Sequence, residues 1–417
     1  MKRRHAGLWS LIVPGILLVA CASQAADPHY ALATSANELF IFRDQGKWDT
    51  KSWSRLLSVS PDTSTLAGVA TDGRYVYVAD RTSKSLIVGT VSNLMGAPTW
   101  TEVATVALED SGGTLKLKSP SHIAADRLGG VYVIGALSDD GSHSYFAHVK
   151  PTAGDWTTPV VSIGNLFEST MADVAVGKSG ASAIIAHSMD TVTDTRVSHA
   201  SKATEGLVSN TQSLSPKSFN ARAVAIDAAL GTDGYAYVVN NNADSPTTKG
   251  SVRVVDAATG APRGSQAIEL VPNMVPEDVT TFTIGTDHYL GIIGHDAGQQ
   301  CSLAWKVLLD SNSDYAPAMS SVVSTPPSPS SATTGHQAAA SSDGKLFWYV
   351  SETGTMGALD TTTWTGLDPL AFDGLVREPL KLENVTDYVP VAVPEPASLL
   401  SLAALLATSL AVCRRRR

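Results

Sequence analysis

Tyr75-Val76-Tyr77-Val78-Ala79 is the run that decides the fold. All five residues are apolar or aromatic, two being β-branched valines and two tyrosines, so the segment reads as a strand with no polar face. A strand apolar on both sides must be covered on both sides, which places it between two packed layers rather than in a half-exposed sheet. The same kind of run returns as Val131-Tyr132-Val133-Ile134, Tyr235-Ala236-Tyr237-Val238-Val239 and Leu346-Phe347-Trp348-Tyr349-Val350. Before these runs stand shorter apolar strands: Gly68-Val69-Ala70, His122-Ile123-Ala124, Asp173-Val174-Ala175, Ala223-Val224-Ala225 and Asp278-Val279-Thr280. A Gly or Asp-Gly turn usually joins the two. A third strand closes each set, as in Leu86–Thr90, Tyr145–Val149 and Val252–Asp256.

Six stretches follow this plan: Leu66–Val91, Pro120–Lys150, Met171–Ala200, Ala221–Gly260, Pro276–Leu308 and His336–Thr363. They recur at roughly 50 to 60 residues, the length of one four-stranded propeller blade. Upstream, Tyr30–Ser35 and Glu38–Arg43 align with second and third strands and Trp53–Val59 with a fourth, leaving a first strand to be supplied by Leu375–Val385. The expectation is therefore an all-β β-propeller over residues 26–389 with seven blades, six being the alternative. Trp48, Trp100, Trp156 and Trp364 fall at one phase of the repeat, just after a third strand, which points to packing between blades, with stacking on sugar as the competing use. Ser320–Gly335 is too rich in Ser, Thr and Pro to pack and reads as a loop. In outline the repeats resemble the NHL and lactonase-type propellers.

The ends have a different chemistry. Val393-Pro394-Glu395-Pro396 is followed by an uncharged run from Ala397 to Cys413 and then Arg414, Arg415, Arg416 and Arg417. Seventeen helical residues span about 25 Å, the short end of what crosses a bilayer, and the arginines hold that end on the cytoplasmic side. The prolines flanking Glu395 keep the motif extended, and residues 390–396 read as a stiff tether. This tail resembles the PEP-CTERM sorting signal of Gram-negative bacteria, which an exosortase, a membrane cysteine protease-transpeptidase, is thought to process; an ordinary C-terminal anchor is the plain alternative. The resemblance covers residues 393–417. It implies transient residence in the inner membrane, an exosortase-like processing partner, and delivery to the cell surface or extracellular matrix, often beside exopolysaccharide. At the other end, Lys2, Arg3 and Arg4, an apolar stretch Leu8–Val19 and Ser23-Gln24-Ala25 form a secretory signal over residues 1–25, addressed to the secretion machinery. Leu18-Val19-Ala20-Cys21 also fits a lipobox, which would acylate Cys21.

With Lys2, Arg3, Arg4 and the four terminal arginines set aside, 23 basic residues face 39 acidic ones. Such a field opposes nucleic acid and favours solubility or cation binding. Of the three cysteines, Cys21 and Cys413 lie in the terminal segments, so Cys301 has no partner for an intramolecular disulfide in the body. No Gly-x-Ser-x-Gly elbow, phosphate-binding Gly-rich loop with Lys, or His-Glu-x-x-His pair is present. Asp310-Ser311-Asn312-Ser313-Asp314 alternates oxygen ligands like a calcium loop, but Tyr315 stands where glycine is required and Ser321 where the bidentate Glu belongs. A solvated turn is the alternative. If first strands line the channel, then Gly68, His122, Asp173, Ala223, Asp278 and Gln337 stand at equivalent places around one mouth. There His122, Asp173 and Asp278, with Glu277 and Gln337, would hold a divalent cation, hydrogen-bond a sugar, or simply meet water. His187, His288, His295 and His336 are dispersed at strand ends and read as surface or core histidines. Two functions fit: a non-catalytic surface platform binding polysaccharide or surface proteins, and a propeller hydrolase or lactonase acting on sugar derivatives with a metal at the mouth.

Overall fold

The computed structural model describes residues 30–35, 37–43, 53–60, 65–94, 96–109, 112–113, 117–126, 128–136, 144–164, 170–188, 196–203, 206–213, 219–242, 250–264, 267–296, 301–325, 335–341, 343–351, 355–366, 370–371 and 381–384. The expected signal peptide at 1–25, Trp48, the expected tether at 390–396, the apolar run at 397–413 and the arginines at 414–417 lie outside them. Among the described residues, no helix is long and apolar enough to cross a membrane.

These residues form seven antiparallel sheets and two single-turn 3-10 helices, so the protein is all-β. Sheets 2 to 7 open with the strands Leu66–Thr71, Ser119–Ala125, Thr170–Val176, Phe219–Asp227, Met274–Ile284 and Gly335–Ala340. Their second strands are Val76–Asp80, Val131–Ala136, Ser182–Ser188, Tyr235–Asn242, Asp287–Asp296 and Leu346–Ser351; the third are Ser85–Ser92, Ser144–Thr152, Arg196–Ala203, Gly250–Asp256, Cys301–Asp310 and Thr355–Asp360. Fourth strands are long in sheets 2 to 4, at Thr99–Ala107, Asp155–Ile163 and Gly206–Ser213. In sheets 5 to 7 they shrink to Ile268–Glu269, Ala316–Pro317 with Val323–Thr325, and Thr365–Gly366 with Leu370–Ala371. Sheet 1 joins the two ends of the chain: Tyr30–Ser35, Glu38–Arg43 and Trp53–Ser58 are completed by Lys381–Asn384, which pairs antiparallel with Tyr30–Ser35.

First strands of consecutive sheets touch one another in order, and Lys381–Asn384 touches both Gly335–Ala340 and Leu66–Thr71, so the series returns on itself. The second strands are the driest part. Val76, Tyr77, Val78 and Ala79 are all fully buried, with alternate residues feeding two different apolar clusters, one shared with each neighbouring sheet. Burying both faces of every such strand is what holds the sheets side by side.

The strand directions define two ends. First-to-second and third-to-fourth connections lie at one, which we term the turn end; second-to-third connections and the links between sheets lie at the other. The latter is the bulge end, because the first strand of each of sheets 2 to 7 carries a register irregularity there: between Leu66 and Gly68, Pro120 and His122, Met171 and Asp173, Ala221 and Ala223, Pro276 and Asp278, and Gly335 and Gln337.

Candidate functional site

The bulges put Gly68, His122, Asp173, Ala223, Asp278 and Gln337 at one register position, each the first residue paired after the irregularity. The position faces the neighbouring sheet. Asp173 accepts from its own strand at Val174 N (2.8 Å) and from the next sheet at Val224 N (2.9 Å). Asp278 repeats this with Val279 N (2.8 Å) and Ala338 N (2.6 Å). At Gly68 a Cβ would stand 3.2 Å from Ser121 O, so there the adjoining backbones approach directly. Asp173 and Asp278 thus act as charge-assisted clasps between first strands. His122 is half-buried at the same level of sheet 3. Among the described residues, no three His, Cys, Asp or Glu side chains gather as metal ligands would.

The polar surface of this end comes from the bulged residues themselves, in sheets 5 and 6. Arg222 is exposed, and Asn241, with its amide oxygen turned toward it, accepts from Nη2 and Nε at 2.8 Å each. One sheet on, the bulged Glu277 meets His295 Nδ1 at 3.3 Å, with the two side chains 20% and 30% exposed. The two sheets abut here: a Cβ on Gly250 would stand 2.3 Å from Pro276 Cδ. A guanidinium, an amide, a carboxylate and an imidazole thereby occupy one rim, a mixture of donors and acceptors suited to a polyhydroxylated ligand.

The turn end contains closed polar networks instead. Asp126 accepts from Leu128 N (2.8 Å) and Gly130 N (2.7 Å), and its second oxygen lies 2.7 Å from His148 Nε2, both side chains being only 3% exposed. Burial pushes this carboxyl up, but the bonds from His148, Gly130 and Leu128 outweigh it and hold it below the ordinary range. Asp227 pairs with His288 of sheet 6 at 2.6 Å. Asp72 accepts from Arg74 N, Tyr75 N and the Tyr77 hydroxyl (2.8 Å). Burial, then the Asp72 charge, raises the Tyr77 phenol. In sheet 4 the corresponding residue is Gly177, and Asp233 of sheet 5 takes its place, accepting from Ser179 N at 2.5 Å and from the Ser182 hydroxyl. A Cβ on Gly177 would lie 2.3 Å from Asp233 Oδ2.

The tryptophans stand at this end too. Trp100 and Trp156 are the second residues of fourth strands, and Trp364 precedes one by a single residue. Trp156, 2% exposed, packs on Tyr75 and Tyr77 of the preceding sheet. Trp364, equally buried, stacks with Phe282 of its preceding sheet and donates to Ala304 O at 3.2 Å. Trp156 and Trp364 are inter-sheet packing residues and offer no face to a sugar. The Asp310–Asp314 segment is a capped turn: Asp310 accepts from Asn312 N (2.9 Å) and Ser313 Oγ (2.8 Å), while Asp314 pairs with Arg263. The Ser313 hydroxyl and Asn312 hold the Asp310 carboxyl low. His187 is fully buried. The side chains of Gln337, His336 and Cys301 lie outside the described set.

No protein-family model and no curated protein matches the sequence. Solved structures do. One is a nidogen/laminin complex, 13% identical over 86% of this chain and 99% of that chain, with a TM-score of 0.45. Another, provisionally named a 6-phosphogluconolactonase, from Bacteroides fragilis, is 11% identical over 87% of this chain and 99% of that chain, with a TM-score of 0.55. The second likeness is one of fold, and it agrees with a propeller-like arrangement of the sheets.

Proposed function

We propose that this chain is an exported seven-bladed β-propeller serving as a non-catalytic binding platform at the cell surface or in the extracellular matrix, and that it is processed at its PEP-CTERM-like tail. One observation carries the reading. The strand Lys381–Asn384 completes sheet 1 before the chain reaches Val393, so the ring of sheets closes with residues that precede the tail. The seven sheets returning on themselves support the blade count over the alternative of six. The rim formed by Arg222, Asn241, Glu277 and His295 supports ligand contact through hydrogen bonds, and polysaccharide is the ligand class that this mixture fits.

Expression of the full chain in a host that makes an exosortase, followed by fractionation and mass determination of the exported form, tests the destination. A surface or released species lacking Arg414–Arg417 is expected. Intact chain in the cytosol overturns the reading. A glycan array probed with residues 26–389 tests the ligand class. The lactonase reading draws on a likeness of fold alone, and turnover of a sugar lactone by the same sample would replace the platform with it.

A further inference from the structure

We infer that the body is held with its turn end toward the membrane and its bulge end outward. The inference rests on the export reading above, and it is carried by the direction of two strands. In sheet 1, Asn384 pairs with Ala31 while Lys381 pairs with Thr34, and the Tyr30–Ser35 strand runs on into the Glu38–Arg43 strand through the connection that follows Ser35. That connection is a second-to-third link and lies at the bulge end. The chain enters the body beside Tyr30 and leaves it after Asn384 at the opposite end. Sheet 1 has the same polarity as its neighbour, since Val59 N, past the end of Trp53–Ser58, bonds to Asn37 O, and the strand Leu66–Thr71 begins shortly after on that side.

Both candidate attachments therefore lead from one face. The tail at 393–417 continues from Asn384, and a lipid on Cys21 would pull through Tyr30. Either one draws the turn end to the bilayer. The Arg222, Asn241, Glu277 and His295 rim is then at least one strand length farther out, about 20 Å for six residues. At the turn end the Asp126 and Asp233 carboxylates are consumed by internal hydrogen bonds, whereas Arg222 is exposed on the outward rim.

The full chain, with Cys21, Cys301 and Cys413 changed to Ser, is labelled with a fluorophore at Leu128→Cys on the turn end or at Pro272→Cys on the bulge end, both sites exposed. Lys178→Cys, also exposed at the turn end, serves as a second probe there. Each sample is mixed with phosphatidylethanolamine and phosphatidylglycerol vesicles containing a headgroup-quencher lipid. Sedimentation with the vesicles and several-fold stronger quenching at 128 and 178 than at 272 is the expected result. Sedimentation with equal or reversed quenching overturns the orientation and leaves the tail reading intact. Failure to sediment overturns the tail reading, and the orientation falls with it.

Discussion

The two ends of the sheets solve the same problem, joining neighbouring strands, by opposite means. At the turn end, side chains reach into the adjoining sheet and are consumed there: Trp156 on Tyr77, Asp227 on His288, Asp233 on Ser179. At the bulge end the junction is made by Asp173 and Asp278 against backbone amides, and the residues just before them in sequence, Ala172 and Glu277, are the extra ones that the bulge creates. Arg222 is the counterpart in sheet 5. A bulge leaves its extra residue outside the ladder, so that residue can change identity from sheet to sheet at little structural cost. Stability should therefore concentrate at the turn end and variation at the bulge end.

Truncation of the inter-sheet indole gives the largest expected difference. Trp156→Ala should remove about 3–5 kcal/mol, as large aromatic truncations in packed interiors do, read as a drop in the urea midpoint at constant slope. Asp126→Ala breaks a buried pair and should cost about 3 kcal/mol, in line with removal of one partner from such pairs. The pH dependence gives its sign. The folded Asp126 carboxyl titrates below its ordinary 3.8. Its contribution is thus complete above the unfolded value and is lost as pH falls through the lower folded one, so Asp126→Asn should flatten the acid limb of stability below about pH 4. Gly177→Ala drives a methyl against Asp233 and should cost about 1–3 kcal/mol, as overpacked sites do; Asp233→Ala in the same chain should recover part of that loss. Smallest in stability is Arg222→Ala, within about 0.5 kcal/mol as for exposed positions, and yet it should weaken glycan binding. A large stability loss at Arg222 with none at Trp156 would invert the comparison.

The inner strands were legible because their burial is written into composition. Tyr75–Ala79 is apolar throughout, and the second strand of sheet 2 spans Val76–Asp80. The closing strand fell within the expected Leu375–Val385, since a sheet with three strands needs a fourth. Fourth strands were less legible: Thr99–Ala107 is mostly exposed and mixes polar with apolar residues, so no run marks it. The equivalence of His122, Asp173 and Asp278 was visible from alignment of the repeats. What Asp173 and Asp278 do was not, because their clasps depend on the separation of adjoining strands, with Asp173 and Val224 51 positions apart in the chain. Asp126 and His148 are 22 apart and equally silent. Arg222 had a signal that could have been used: it is the lone charge inside Asn220-Ala221-Arg222-Ala223-Val224-Ala225, and a charge within an apolar strand marks a place where the alternation of faces has slipped.

The borrowed carboxylate in sheet 4 bears on how such a chain can be shortened or reshuffled. Sheet 4 has Gly177 where sheets 2, 3 and 5 have Asp72, Asp126 and Asp227, and its first turn is finished by a residue that sheet 5 supplies. Deleting or transplanting sheet 4 by itself would leave Asp233 without its partners and the Lys178 and Ser179 amides uncapped. The smallest portable module in this region is thus a doublet, and recombinants that cut between residues 213 and 219 should misassemble unless Asp233 is carried with sheet 4.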